Sequence, residues 1–219
     1  MLDQNSRLRP ISKIALQRLP YYLNYLKKKQ KEAVKNISAP MIANGLSLNE
    51  VQVRKDLAIV SANGGKPKTG YVIDILIGDL EKFLGYDNVN QAVLVGVGQL
   101  GKALLSYKGF DDYGLEIVAA FDTDQNKLDL TINDKCIFHM DKLKDLCERL
   151  KIHIGIITVS AVNAQAVCDQ LIECGVLAVW NFAPVHLKVP EHILVQDENM
   201  ASSLAVLSRH LAETIEKTN

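Results

Sequence analysis

Val93-Leu94-Val95-Gly96-Val97-Gly98-Gln99-Leu100-Gly101 is an apolar run that feeds directly into a Gly-x-Gly-x-x-Gly turn. A second apolar run, residues 115–121, follows and ends on Asp122. Strand, glycine turn, helix, strand and acid, in that order, make a dinucleotide-binding unit. Gly96 permits the tight turn, Gly98 lets the backbone approach a pyrophosphate, and Gly101 lets the helix pack closely on the strand. Val97, Gln99 and Leu100 complete this candidate site, at a helix N-terminus whose N–H groups and positive dipole end suit phosphates. Asp122 lies where an acid can hydrogen-bond both ribose hydroxyls. A 2′-phosphate there would face a negative charge with no nearby Arg, so the expected ligand is NAD(H) and not NADP(H). The other role open to Asp122 is a turn or capping acid, although Asp124 is better placed to cap.

Further along, apolar runs at residues 92–95, 117–121, 154–159, 176–180 and 193–195 alternate with amphipathic stretches at 99–107, 142–150 and 162–174. This alternation predicts a parallel, doubly wound, Rossmann-like sheet, an α/β fold. Open sheets of this kind bind ligands at strand C-termini. Thr158-Val159-Ser160 and Asn181-Phe182-Ala183-Pro184 fall at such ends, and their small and amide side chains suit an uncharged carboxamide ring. Each also reads as an ordinary loop.

About ninety residues precede the glycine turn. The chain's formal charge is zero, yet residues 1–85 hold 14 Lys and Arg against 7 Asp and Glu, and residues 86–219 hold 11 against 18. A basic module joined to an acidic one accounts for the split, and the basic half should seek a polyanion. Residues 10–31 predict one helix, or two interrupted at Pro20, with Leu16, Leu19, Leu23 and Leu26 inward. Ser38 should cap a short helix over 39–44 that Gly45 stops. Ser47-Leu48-Asn49-Glu50 reads as a capping box opening a third helix to about residue 59. Leu48, Val51 and Leu57 should face inward there, with Asn49, Gln52, Arg54 and Lys55 outward or sideways. Residues 63–71, rich in Gly and Pro and carrying Lys66 and Lys68, form a hairpin loop before the β-prone Tyr71-Val72-Ile73. Three helices and a basic hairpin predict a winged helix-turn-helix. Ser47, Asn49, Gln52, Arg54 and Lys55 then face DNA, on phosphates or base edges, and Lys66, Lys68 and Tyr71 extend the interface from the wing.

Other classes fit less well. No apolar run is long enough to span a membrane, and residues 1–10 lack an apolar signal core, so a cytoplasmic protein is expected. Cys136, Cys147, Cys168 and Cys174 have no metal or redox spacing and read as core or incidental thiols; no metal is expected. An NAD-dependent oxidoreductase needs a proton donor and usually a substrate domain. Here His139, His153, His186, His192 and His210 are scattered, and only a helix remains after the sheet, so no catalytic residue is assigned. A CoA- or nucleotide-binding subunit of a larger complex stays open as an alternative, but only a DNA-binding sensor needs residues 49–71 to be basic.

These pieces together resemble the Rex family of redox-sensing transcriptional repressors, over nearly the whole chain. The resemblance is carried by Arg18-Leu19-Pro20-Tyr21-Tyr22, Val53-Arg54-Lys55-Asp56-Leu57, the wing ending at Gly70-Tyr71, Gly96-x-Gly98-x-x-Gly101, Phe121-Asp122, Thr158-Val159 and Asn181-Phe182-Ala183-Pro184. It implies a homodimer with a winged-helix domain (residues 1–85), a Rossmann NAD(H)-binding domain (86–198) and a C-terminal helix (199–219) swapped across the dimer. It also implies operator binding when NAD+ dominates and release when NADH binds. The nicotinamide would then lie near Thr158-Val159 and Asn181-Phe182-Ala183, and Arg18, Tyr107 and Asn199 would couple the parts. The chain departs from the family at Lys68, near a usual Gly, and in a wing segment one residue longer. Ser160 stands where Pro is common, and Asn199 where an acid often begins the swapped helix.

Overall fold

The computed structural model describes residues 11–67, 69–87 and 90–218. Lys68 and the signal-segment reading of residues 1–10 lie outside these. The chain divides into two compact units, Met1–Asn88 and Val89–Asn219.

In the first unit, α1 (Lys13–Lys31) starts where Ser12 Oγ accepts from Ala15 N at 3.2 Å. Of the two readings, one helix or two interrupted at Pro20, the structure has the single helix. The donor missing at Pro20 would have bonded the carbonyl of Leu16, which lies on the exposed side, where water can satisfy it. Leu16 is accordingly outside the core, and Ala15, Leu19, Tyr22, Leu23 and Leu26 form the buried face. α2 (Ala39–Leu46) is capped by Ser38 as expected but runs past Gly45. A Cβ at Gly45 would overlap the Tyr25 ring, so this glycine serves close packing and not termination. The left-handed residue is Ser47, at φ 54°. In that conformation Ser47 cannot open the next helix, so the capping box does not form. Asn49 takes the role, its Oδ1 accepting from Gln52 N at 3.2 Å, and α3 spans Glu50–Val60. The start shifts by two positions and turns Val51 outward, 59 % exposed, while Val53, Leu57 and Val60 face the core. Leu48 packs half-buried against that core.

β1 (Asn36–Ile37) and β2 (Tyr71–Val72) pair antiparallel. Between α3 and β2, Lys66 and Gly70 exchange two backbone hydrogen bonds of 2.8 Å, closing the wing. Tyr71-Val72-Ile73 is not one strand: Ile73 opens α4 (Ile73–Leu84), whose Ile73, Leu76, Ile77 and Leu80 bury against α1.

The second unit is a seven-stranded sheet in the order β5-β6-β4-β3-β7-β8-β9. The strands are β3 (Asn90–Val95), β4 (Leu115–Asp122), β5 (Thr131–Ile132), β6 (Lys135–His139), β7 (Ile154–Ile157), β8 (Ala178–Asn181) and β9 (Leu194–Asp197). All pairings are parallel except the β5–β6 hairpin. With β5 set aside, the order is the 3-2-1-4-5-6 arrangement of the Rossmann fold. α5 (Gln99–Ser106), α6 (Leu143–Leu150) and α7 (Ala161–Glu173) fall on the predicted helical stretches. Ala92 to Val95 are buried on both faces, as parallel central strands require. The chain ends in α8 (Met200–Thr218), which buries none of its residues within the chain. Among the described residues no helix is long and apolar enough to cross a membrane.

Candidate nucleotide cavity and nucleic-acid face

The glycine turn opens at the carboxyl end of β3. Gly96 has φ 100°, and a Cβ there would stand 2.7 Å from Val159 Cγ1 and 2.9 Å from the Thr158 carbonyl carbon. A Cβ at Gly101 would strike the Gly96 carbonyl oxygen. Thr158 locks the same turn from β7's end, its hydroxyl donating to Gly96 O at 2.6 Å. Gly98 is the N-cap of α5; among the described residues no side chain caps the first turn, and nothing beyond the adjoining backbone lies within 4 Å of where a Cβ would point. An uncapped helix start beside open space is a ready anion site.

A cavity of about 560 Å³ lies at this edge, where strand order reverses between β3 and β7. Gly96, Gly98, Asp122, Thr158 and Val159 line it, together with Lys127, Met140, Ser160, Asn163 and Gln170. Of the candidate residues, Val97, Gln99, Leu100, Gly101, Asn181, Phe182 and Ala183 are not in its wall.

Asp122 is nearly buried, and its carboxylate is well occupied. Oδ2 accepts from Val97 N at 2.8 Å and from Lys127 Nζ at 3.0 Å, and Oδ1 accepts from Asp124 N at 2.9 Å. Burial alone would push this carboxyl up, but the Asp124 N–H, the Lys127 ammonium and the Val97 N–H outweigh it and hold the group below its ordinary value. Asp122 therefore acts as a turn acid and also borders the cavity. The cation beside Asp122 is Lys127, a residue that an expectation framed around Arg passes over. Asp124 caps the short helix after it, accepting from Asn126 N at 3.0 Å.

Asn181 has no exposed surface. Its Nδ2 donates to Val185 O and to Asp197 Oδ1, both at 2.8 Å, and its Oδ1 accepts from Ala183 N at 3.0 Å. The residue thus shapes the loop after β8 from within. Phe182 packs on Trp180 at 4.9 Å, and Tyr107, half exposed, meets Phe110 edge-on at 4.9 Å.

In the first unit, Asn49, Arg54 and Lys55 are exposed along α3, with Ser47 just before it. Arg54 pairs with Glu50 one turn back. Gln52 is turned inward, donating Nε2 to Asp56 Oδ1 at 2.9 Å. Asp56, 1 % exposed, also accepts from Arg18 Nε at 2.8 Å, Arg18 Nη2 at 3.0 Å and Tyr22 Oη at 2.7 Å. Burial raises the Asp56 carboxyl, but the Arg18, Tyr22 and Gln52 hydrogen bonds prevail and it lies low. Burial, with Asp56 beside it, pushes the Tyr22 phenol up to about 12. This four-residue network ties α1 to α3, and the Arg18 guanidinium is engaged within its own unit. Arg54, Lys66 and Tyr71 line a hollow of about 410 Å³ with Ser38, Pro40 and Gly70. Asn199 caps α8, its Oδ1 accepting from Ser202 N at 3.1 Å.

A winged helix-turn-helix unit and a Rossmann-type unit with its cavity at the sheet's carboxyl edge, in one chain, define a ligand-responsive transcription regulator. Comparison with known proteins narrows the class. A CoA-binding domain family matches residues 87–185, and a DNA-binding protein N-terminus family matches residues 10–58. The redox-sensing transcriptional repressor Rex of Treponema denticola is 40 % identical over 193 residues, 88 % of this chain and 91 % of that protein. The repressor of the same name from Bacteroides fragilis is 39 % identical over 196 residues, 90 % and 89 % of the two chains. Among solved structures, RSP, a Rex-family repressor, in complex with β-NAD+ and operator DNA aligns with TM-score 0.88 at 31 % identity over 96 % of both chains. Its complex with β-NADH aligns at 0.83 and 31 %, over 96 % of this chain and all of that one. The chain belongs to the Rex family of redox-sensing transcriptional repressors. Its class is that of transcriptional repressors.

Proposed function

We propose that this chain acts as a cytoplasmic homodimer that binds operator DNA through its N-terminal unit, holds NAD(H) in the cavity of its second unit, and releases the DNA when NADH binds. The observation that carries the reading is the cavity at the carboxyl ends of β3, β4 and β7, with an uncapped α5 start and open space at Gly98. That cradle fits a pyrophosphate. Asp122 and Lys127 would meet the adenosine ribose, and Thr158 and Val159 would border the nicotinamide; the loop after β8, which lies outside the cavity's wall, is assigned to the nicotinamide with them from the sequence. The solved complexes of RSP with β-NAD+ and operator DNA, and with β-NADH, support the same pairing of ligands. α3 and the wing present Asn49, Arg54, Lys55 and Lys66 to DNA, and Lys68 is assigned with them from the sequence.

The preference for NADH over NAD+ follows from charge. NAD+ and NADH differ by one positive charge on the ring, and a partly desolvated apolar wall penalises the charged form. Release requires in addition that NADH bind the DNA-free state more tightly than the DNA-bound one; a roughly 100-fold difference between those two states corresponds to about 2.7 kcal/mol. Gel shift on a palindromic operator library, with and without NADH, tests the reading. A retarded band that NADH abolishes supports it, and no retarded sequence at any protein concentration refutes it.

A further inference from the structure

β9 is an edge strand of the sheet, paired among the described residues with β8 alone. α8 begins three residues after β9 ends and buries nothing of its own within the chain, so its root is where this chain's own contacts can steer it. Two adjacent residues of β8 grip that root from opposite faces of the sheet. Asn181 holds Asp197 through its amide, and its carbonyl accepts the Glu198 backbone N–H at 2.8 Å. Trp180, on the other face, donates its indole N–H to Glu198 Oε1 at 3.0 Å.

The same two residues shape the loop that follows β8. Asn181 bonds Ala183 and Val185 within it. The Trp180 ring packs on Phe182 at 4.9 Å and on Phe110 at 5.7 Å. Any shift of Phe182 therefore meets Trp180, and any tilt of the indole moves or breaks its bond to Glu198. An edge strand with one neighbour yields more readily than a central one.

We propose that Trp180 and Glu198 are a positioning pair that transmits the state of the 181–185 loop to the direction of α8. The proposal rests on the reading that this loop walls the nicotinamide. It gives a physical path from ligand to dimer element that lies wholly within one unit and does not pass through the DNA-binding half.

Trp180→Phe and Glu198→Ala, singly and together, test it on the full chain, with Glu198→Gln as the conservative variant that keeps a side-chain oxygen. Three quantities are measured for each: NADH affinity by calorimetry, and operator affinity with and without saturating NADH. NADH affinity and NADH-free operator affinity should stay within about twofold of the parent, which a general loss of structure would not allow. The ratio of the two operator affinities should fall roughly fivefold or more in each single variant, no further in the double, and recover in Glu198→Gln. Trp180 is the chain's one tryptophan, so its emission reports the link directly. NADH should shift the emission maximum in the parent and shift it much less in Glu198→Ala. Variants that release DNA as the parent does, or a double variant whose loss is the sum of the singles, overturn the proposal while leaving the proposed function intact. A parent chain that binds no NADH overturns both.

Discussion

Lys127 and Asp122 stand 3.0 Å apart at the cavity wall, and the pair decides what a ribose meets there. Removing the carboxylate in Asp122→Ala leaves the Val97 and Asp124 N–H groups without their acceptor and Lys127 without a counter-charge. NADH binding should weaken, and the preference for NADH over NADPH should narrow roughly tenfold, about 1.4 kcal/mol. Calorimetry with both nucleotides measures this. A parent protein that binds NADPH as well as NADH would reduce Asp122 to a turn residue. Asp56 poses the corresponding question in the other unit. Replacing it with Ala removes the shared acceptor of Arg18, Tyr22 and Gln52, leaves the part-exposed Arg18 guanidinium unpaired, and should cost on the order of 2 kcal/mol in thermal or urea unfolding. The pH sign follows from its lowered folded value. The stabilisation is fully present above the ordinary carboxyl value of 3.8 and is lost as pH falls through the lower folded value. Acid unfolding of the parent should therefore steepen below about pH 4, and Asp56→Ala should remove that component.

At the scale of elements, the wing is the part of the nucleic-acid face most open to test. Lys66→Ala with Lys68→Ala should lower operator affinity for every sequence alike and flatten its salt dependence by roughly 0.9 in log–log slope for each phosphate no longer neutralised. Unchanged binding would remove the wing from the interface. Periodic elements were legible in the sequence: β3, β4, β7, α5 and α7 lie where hydrophobic pattern and glycine turn put them. Less was legible where local chemistry competed. Ser47 and Asn49 are both good caps, and only the left-handed backbone at Ser47 decides for Asn49, which re-aims Val51. α4 was hidden because Tyr71-Val72-Ile73 looks extended and the helix has no side-chain cap. β6 is five residues of mixed polarity whose place depends on pairing with β4, a tertiary fact. The cavity's glycine turn, Asp122, Thr158 and Val159 could be read from spacing. Lys127 and the Trp180–Glu198 bond could not, because they depend on which side chains meet across the fold.

On the scale of the whole molecule, α8 presents Met200, Leu204, Leu207, Leu211 and Ile215 at helical spacing, each more than half exposed. A stripe of that length exposed in solution is a liability, and a second copy of the chain is the natural cover. Deleting residues 199–219 should give monomers by sedimentation, or dimers that bind NADH without releasing DNA. A truncated protein that stays dimeric and still responds would contradict the role of α8. If nucleotide and operator oppose each other through one protein, linkage makes the opposition reciprocal for binding free energies. The most direct measurement is the NADH affinity of the full chain with and without saturating operator. Operator should weaken NADH binding by the same factor by which NADH weakens operator binding; an NADH affinity unchanged by operator would rule the opposition out.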